Sequence, residues 1–329
     1  MKAQRVIIDK KEFTLKSFFF QWEWLLVLIF IVMTVVNSSL TPYYLDADNL
    51  IGATMEFLDK AFIVLPMVFI IILADIDISV ASTIALSSVI MGVLYNKGVP
   101  MPLAIVICLS VGILCGFING LLVTKFKELS SMIITLSTMI LYRGIAYIIL
   151  KDQAAGKFPE WFNYLSWGYV GPIPFILIVF IVFAVIFTFL LHKTAFGRRV
   201  YAIGSNPIAS RFTGIQVDKI KIIVFTLAGL MAAVTALFLT SRMGSTRPNV
   251  ANGYELDVIT MVVLGGISTA GGKGKIYGAI ISIFLLGFLR YGLGLFNVPA
   301  QTLLIITGAL LIGAVMIPNI KFKKTRFRQ

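Results

Sequence analysis

Residues 175–221 read FILIVFIVFAVIFTFLLHKTAFGRRVYAIGSNPIASRFTGIQVDKIK, a long apolar run followed at once by the one long polar, basic insertion in the chain. A membrane-spanning β-strand alternates apolar and polar side chains over about ten positions. The run 175–191 is apolar throughout except for Thr188, so it is a helix. The insertion has structure of its own: Asn206 is suited to cap a helix through its side-chain oxygen, Pro207 to occupy the first helical position, and Gly214 to end the helix in the left-handed conformation. The spacing predicts a short helix over 207–213. Two turns are marginal alone in water, so this helix implies a partner packed on it, with Ala209 and Phe212, three apart, sharing the packed face. Arg211 is expected to point to solvent or to an acidic rim on that partner.

Composition extends the helical reading to the whole chain. Of 329 residues 59% are hydrophobic and 13% charged, with mean hydropathy +0.96, far above the apolar share of about half usual for soluble domains. A bilayer core about 30 Å thick takes roughly 20 apolar residues per helix. The runs suffice for about ten spans in a single all-α, polytopic membrane domain covering 1–329. The first runs from about Trp24 to Leu40. An acidic loop with Asp46, Asp48 and Glu56 then leads to a second run from Phe57, and Ala61 to Tyr95 is interrupted only at Asp75-Ile76-Asp77.

Charge sets the expected topology. Placing the N-terminus (1–21), the loop 192–221 and the tail (318–329) in the cytoplasm requires an even number of crossings between the first two, so 61–95 crosses twice and reverses near Asp75. Further spans are expected at 100–124, 132–150, 172–191, 222–241, 256–270, 277–296 and 298–317. In this scheme twenty basic residues lie inside and six outside, among them Lys60 and Arg242, while Arg143 and Arg290 fall within spans, accounting for all 28. The aromatic loop 151–171, with Trp161, Tyr164 and Trp167, lies at the outer interface. The net charge of +13 is thus a topological signal spread over loops, which excludes a nucleic-acid-binding patch.

Catalytic signatures are absent. The segment GISTAGGKGK (266–275) has Gly274 where a phosphate loop needs Ser or Thr and Ile267 where it needs its first glycine, and reads as a turn that brings two spans close. His192 reads as a plain interfacial residue. Cys108 and Cys115 are seven apart on one helix, about 10 Å by rise, too far for a disulfide. Gly112, Gly116 and Gly120 make two small-xxx-small steps for close helix approach. Asn119 beside them either bonds a neighbouring helix or lines a polar path. Arg143 either snorkels or pairs with an acid at depth, and Asp75 and Asp77 either line a path or satisfy a tight reversal.

Taken together, ADIDISVAS (74–82), GFINGLLV (116–123), ITLSTMILYRGIAY (134–147), TAFGRRVYAIGSNPIAS (194–210) with TGI (213–215), and VVLGGISTAGGKGKIYGA (262–279) resemble the membrane permease of bacterial ABC importers for ribose and related monosaccharides. The segments 97–105 and 244–249 most resemble the rhamnose or autoinducer-2 branch. The resemblance covers nearly the whole chain. It implies a plasma-membrane subunit of ten helices with a sugar-like solute and no cofactor or metal. Its implied partners are a second permease, identical or related, two cytoplasmic ATPases, and an extracytoplasmic solute-binding protein. The coupling surface for the ATPases would be Gly197, Arg198, Arg199, Gly204, Asn206, Pro207, Ala209, Phe212 and Gly214, and the path would pass Asp75, Asp77, Asn119 and Arg143. An ion-coupled carrier using Asp75 and Asp77 is the alternative. The chain departs from the family pattern at Leu73-Ala74, where paired glycines are usual, and at Arg290-Tyr291, where an Asn commonly precedes Gly292.

Overall fold

The computed structural model describes residues 22–319. The basic N-terminal segment and the basic tail, on which part of the charge argument rests, lie outside them. Among the described residues the long helices are α1 (Trp22–Leu40), α2 (Ala47–Ile72), α3 (Val80–Asn96), α4 (Met101–Lys125) and α5 (Ser131–Leu150) in the first half, and α7 (Phe175–Lys193), α10 (Val217–Met243), α12 (Ile276–Leu295) and α13 (Ala300–Asn319) in the second. Shorter helices are α6 (Glu160–Trp167), α8 (Ala195–Ser205), α9 (Pro207–Phe212) and α11 (Tyr254–Leu264).

Six of these, α1, α4, α5, α7, α10 and α12, are long and apolar enough to cross a membrane. The expected even crossing of 61–95 corresponds to α2 and α3, which flank a reversal at 73–79. Two expectations need correction. The acidic loop before Phe57 is helical: the Asp46 carboxylate accepts from Asn49 N at 3.0 Å and starts α2 ten residues early. The span expected at 256–270 ends at Leu264, and eleven residues rise only about 16 Å, half a bilayer core. The glycines that follow it turn the chain.

The α10 helix is the hub. Buried residues make up 72% of its apolar core, against 11% for the peripheral α1. Its position depends on the predicted glycines. A Cβ on Gly116 would lie 2.9 Å from Gly229 Cα, one on Gly120 2.8 Å from Ile222 Cα, and one on Gly112 2.5 Å from Ala233 Cβ. Gly229 is equally constrained, with Gly116 N 2.7 Å from its own hypothetical Cβ. Lipid tails are as apolar as leucine, so helices associate in a bilayer largely through such close backbone packing. Around α10 stand α2, α3 and α4, with α6 across its C-terminal end.

Short strands brace the end of the bundle far from α9. β1 (Ala155–Gly156) pairs antiparallel with β4 (Ser245–Thr246), and β2 (Tyr169–Val170) with β3 (Ile173–Pro174). Ser241 Oγ donates to Phe162 O at 2.7 Å, which seats α6 on α10 and leaves Trp161, Tyr164 and Trp167 exposed. Cys108 and Cys115 are buried and free.

Either Gly116→Leu or Gly229→Leu is expected to lower the amount of protein in the membrane several-fold, because a large side chain there overpacks by about 1–3 kcal/mol or more. Quantifying each variant in isolated membranes checks this. Native abundance with lost transport would place Gly116 on the transport path instead.

Candidate functional site

At one end of the bundle the chain leaves α7, forms α8 and α9, and enters α10. The α8 helix, which the sequence did not reveal, is capped by Thr194, whose Oγ1 accepts from Gly197 N at 3.2 Å. It buries Gly197, Val200, Ile203 and Gly204, one stripe at helical spacing. The α9 helix follows its predicted signals: Asn206 Oδ1 accepts from Ala209 N at 2.9 Å, Pro207 opens the helix, and Gly214 takes φ +81°. Thr213 is its cap, one residue short of the expected end. Of its six residues only Ser210 is buried, while Ile208 is 68% and Phe212 89% exposed. Ile208 and Phe212, four apart, present an apolar surface next to Ala209. Arg211 is exposed as expected, but the acid it meets belongs to this chain: its Nη2 lies 2.6 Å from Asp218 Oδ1, while Lys127 Nζ lies 2.9 Å from Asp218 Oδ2. This triad ties α9 to the start of α10 and the end of α4.

The same end holds a backbone junction. Gly272 N donates to Ile72 O at 2.8 Å, and Gly204 lies against both, its hypothetical Cβ only 2.7 Å from Gly272 N. Tyr201 OH donates to Gly274 O at 2.7 Å. The glycine-rich turn therefore seats the last turn of α8 on the end of α2, whereas the close approach of α11 to α12 falls at Gly265, whose Cβ would meet Ala279 N at 2.5 Å. His192 belongs here too, its ring stacked 5.2 Å from that of Tyr277.

Asp75 and Asp77 lie in the reversal beside this junction. Asp75 Oδ2 is 2.6 Å from Lys221 Nζ. Asp77 Oδ1 accepts from Ser79 N at 2.9 Å and Ser79 Oγ at 2.7 Å, holding the entry to α3. Asn119 Nδ2 donates to Ser79 Oγ at 2.6 Å and its Oδ1 accepts from Tyr142 OH at 3.1 Å, so Asn119 bonds to α5 and to the reversal. Arg143 is not in this group: its Nη1 donates to Pro248 O at 2.6 Å and Val250 O at 2.8 Å, fastening the loop between β4 and α11, and its charge also acts on the Glu255 carboxylate. Ala74 has φ +61°, a left-handed conformation that explains physically why glycine suits this position.

Charges collect at the opposite end. Arg242 Nη2 lies 2.8 Å from Oδ2 of fully buried Asp59, with Arg242 Nε at 3.1 Å from the same oxygen. Lys60 Nζ lies 2.9 Å from Asp257 Oδ2, and Arg290 grips both oxygens of Asp257, with Nη1 at 2.7 Å from Oδ2, and reaches Thr307 Oγ1 at 2.9 Å. Lys60 also sits 4.4 Å over the Tyr254 ring. This network joins α2, α10, α11, α12 and α13 and borders a cavity of about 430 Å³ lined by Glu56, Lys60, Arg242, Tyr254, Arg290 and Tyr291. Lys60 and Arg242, expected in loops, are thus helix residues with internal partners.

Residues 49–315 match the family described as Branched-chain amino acid transport system / permease component. The chain is 34% identical, over 94% of its length and 95% of each relative, to the Autoinducer 2 import system permease protein LsrD of Escherichia coli K12, Escherichia coli O157:H7 and Shigella flexneri. The chain belongs to this permease family. No solved structure matches it. As a permease component it is a non-catalytic membrane subunit of a transport system, in keeping with the lack of catalytic motifs.

Sequence reasoning about this permease passed over Ile208 and the far-end cluster of Asp59, Lys60, Arg242, Asp257 and Arg290. The signal for Ile208 was available in its spacing from Phe212. The cluster draws on four helices, and a charge near a helix end reads as a loop residue until its partner is known. Removing one side of a buried pair leaves the other uncompensated. Asp257→Ala is therefore expected to destabilise the permease by about 3–5 kcal/mol, whereas Asp218→Ala, which opens exposed pairs, costs about 1 kcal/mol or less. Thermal unfolding of both variants in detergent compares them, and similar midpoints would show that the Asp257 network is not buried as described.

Proposed function

We propose that this chain is the membrane permease subunit of an ATP-driven bacterial importer, with α9 as the element on which a cytoplasmic ATPase docks. The single observation that carries this is the exposed apolar pair Ile208 and Phe212 on a capped helix too short to persist in water without a covering partner. Ten membrane crossings, with both termini in the cytoplasm of a bacterial inner membrane, fit the distribution of basic residues. A second permease, identical or related, completes the channel, and an extracytoplasmic binding protein delivers the solute. The segments that resemble monosaccharide importers support a small sugar-like solute, and the relatives are named for import of autoinducer 2.

In this reading ATP binding and hydrolysis in the partner move α9. The Arg211–Asp218–Lys127 triad carries that displacement to α10 and α4, which move together because their backbones touch. Gly204 carries it to the end of α2 and to the turn before α12. The pathway opens alternately to either side as these helices tilt. The exposed Arg198 and Arg199 on α8 complete the docking surface, Gly197 being buried against Leu191 and so supporting it from behind, and Asp75, Asp77 and Asn119 ride on the hinge. An ion-coupled carrier would need Asp75 free to take a cation, but Lys221 already neutralises it.

Ala209→Asp is expected to leave membrane abundance unchanged and to reduce co-purification of the ATPase at least tenfold, since desolvating an unpaired charge costs several kcal/mol and about 1.4 kcal/mol is a factor of ten. Phe212→Ala should act in the same direction. Native transport with the ATPase still bound would show that α9 is not the coupling element.

For topology, Arg199→Cys should resist an impermeant thiol reagent in intact cells and Trp161→Cys should react, the native Cys108 and Cys115 being buried. Labelling of position 199 from outside would overturn the orientation.

A further inference from the structure

At the α9 end a cavity of about 620 Å³ lies between α8 and the first turns of α10, a size proper to a small-molecule site. Among its lining residues are three apolar side chains, Phe196, Ile220 and Ile223, and three polar ones, Arg199, Gln216 and Lys219. The α10 helix is otherwise enclosed: along its 27 residues only Lys219, Ile223 and Met243 are exposed. Lys219 and Ile223 are four apart and so share a face, with Ile223 about 6 Å further along the apolar span. The α8 helix repeats the arrangement, since Phe196 and Arg199 are three apart and both line the cavity. Each helix thus offers a cation next to an apolar side chain.

The two cations are uncompensated. Among the described residues no carboxylate lines this cavity, and no hydrogen bond or ion pair holds Arg199 or Lys219. The acids of this end are engaged elsewhere, Asp218 with Arg211 and Lys127, and Asp75 with Lys221.

Charge and depth together select the occupant. A guanidinium and an ammonium on one cavity suit a phosphate, which the first can grip with two N–H groups and the second as a point charge. A soluble anion or an acidic protein surface would satisfy the cations but leave Phe196, Ile220 and Ile223 uncovered, and Ile223 lies on the membrane-spanning part of α10. A phospholipid has both parts in the required order, a phosphate at headgroup depth and an acyl chain below it. Anionic lipids give the cytoplasmic leaflet its negative surface, and basic pockets between membrane helices on that side receive their headgroups.

We propose that this cavity holds one anionic phospholipid of the cytoplasmic leaflet, its phosphate between Arg199 and Lys219 and an acyl chain along Phe196, Ile220 and Ile223. This rests on the reading that places the α9 end in the cytoplasm, and it adds a partner, bound where α8 meets α10. Arg199 also belongs to the docking surface for the ATPase, so the lipid borders that surface; Lys219 lies outside it and carries the test.

The test uses the full chain, stripped of lipid in a neutral detergent, and native mass spectrometry with phosphatidylglycerol and phosphatidylcholine of identical acyl chains. Phosphatidylglycerol should bind about tenfold tighter or more. Lys219→Gln should weaken its binding about fivefold, the worth of one cation at a membrane surface, and leave phosphatidylcholine binding and co-purification of the ATPase unchanged. Arg199→Gln should weaken it at least as much, while Lys97→Gln at the opposite end of the bundle should have no effect. Inorganic phosphate at millimolar concentration should not displace the lipid. Equal binding of the two lipids, native phosphatidylglycerol binding in Lys219→Gln, the same loss in Lys97→Gln, or displacement by phosphate, which would mark a site for free anions, would each overturn the lipid site. Those outcomes leave the importer reading intact, which fails instead if the native ATPase does not bind at α9.

Discussion

Helices α4 and α10 touch backbone to backbone at Gly112, Gly116, Gly120 and Gly229, and the rest of the bundle is placed around that contact. Inside a bilayer two helices gain little from hiding apolar side chains, so they hold together where their backbones pack at close range. Four glycines on two facing surfaces provide that range over about two turns. Because α10 is locked to α4 on one side, its remaining surface is free to bury α2, α3 and α6, which is why it is the most enclosed of the six helices long and apolar enough to cross a membrane. A side chain at any of these glycines would displace the hub, and with it both functional ends.

A second constraint acts at the α9 end, where three chain segments meet through main-chain atoms. The carbonyl of Ile72 receives the Gly272 amide, and Gly204 lies against both. Side chains can swing to absorb a displacement, but a carbonyl and an amide in contact across a glycine cannot. The short helix α9 is joined to this junction on one side by α8 and to α10 on the other by the Arg211–Asp218 pair. Exposed pairs of that kind add little stability. Their value here is positional, since they fix the angle at which a surface helix meets the helix it would move.

At the far end, burial of charge imposes the opposite economy. Asp59 is fully buried and Asp257 nearly so, and either would be costly without the cations that meet it. Replacing such a network by packed apolar residues is often no worse for stability. Beside the cavity it lines, this network leaves the wall charged rather than apolar. Thr307 on α13 and Tyr254 on α11 take part as well, so the cavity wall and five helices share one set of hydrogen bonds.

Much of this was legible in the residues themselves. Apolar run length identified the helical spans, the Asn206–Pro207–Gly214 signals marked α9, and the spacing of Gly112, Gly116 and Gly120 announced a close helix contact, because each depends on neighbours a few positions away. The reversal at Asp75 followed from the interruption of the long run 61–95 at Asp75-Ile76-Asp77 together with the charge count. What only the tertiary structure decided was partnership across distance: Gly229 as the counterpart of the α4 glycines, Lys221 for Asp75, backbone carbonyls for Arg143, and the union of Asp59, Lys60, Arg242, Asp257 and Arg290 into one network. Local sequence specifies which groups need a partner, since hydrogen bonding, charge and steric demand are properties of each residue. Which partner each group meets depends on how the helices pack, and that is settled by the contacts of the whole bundle at once.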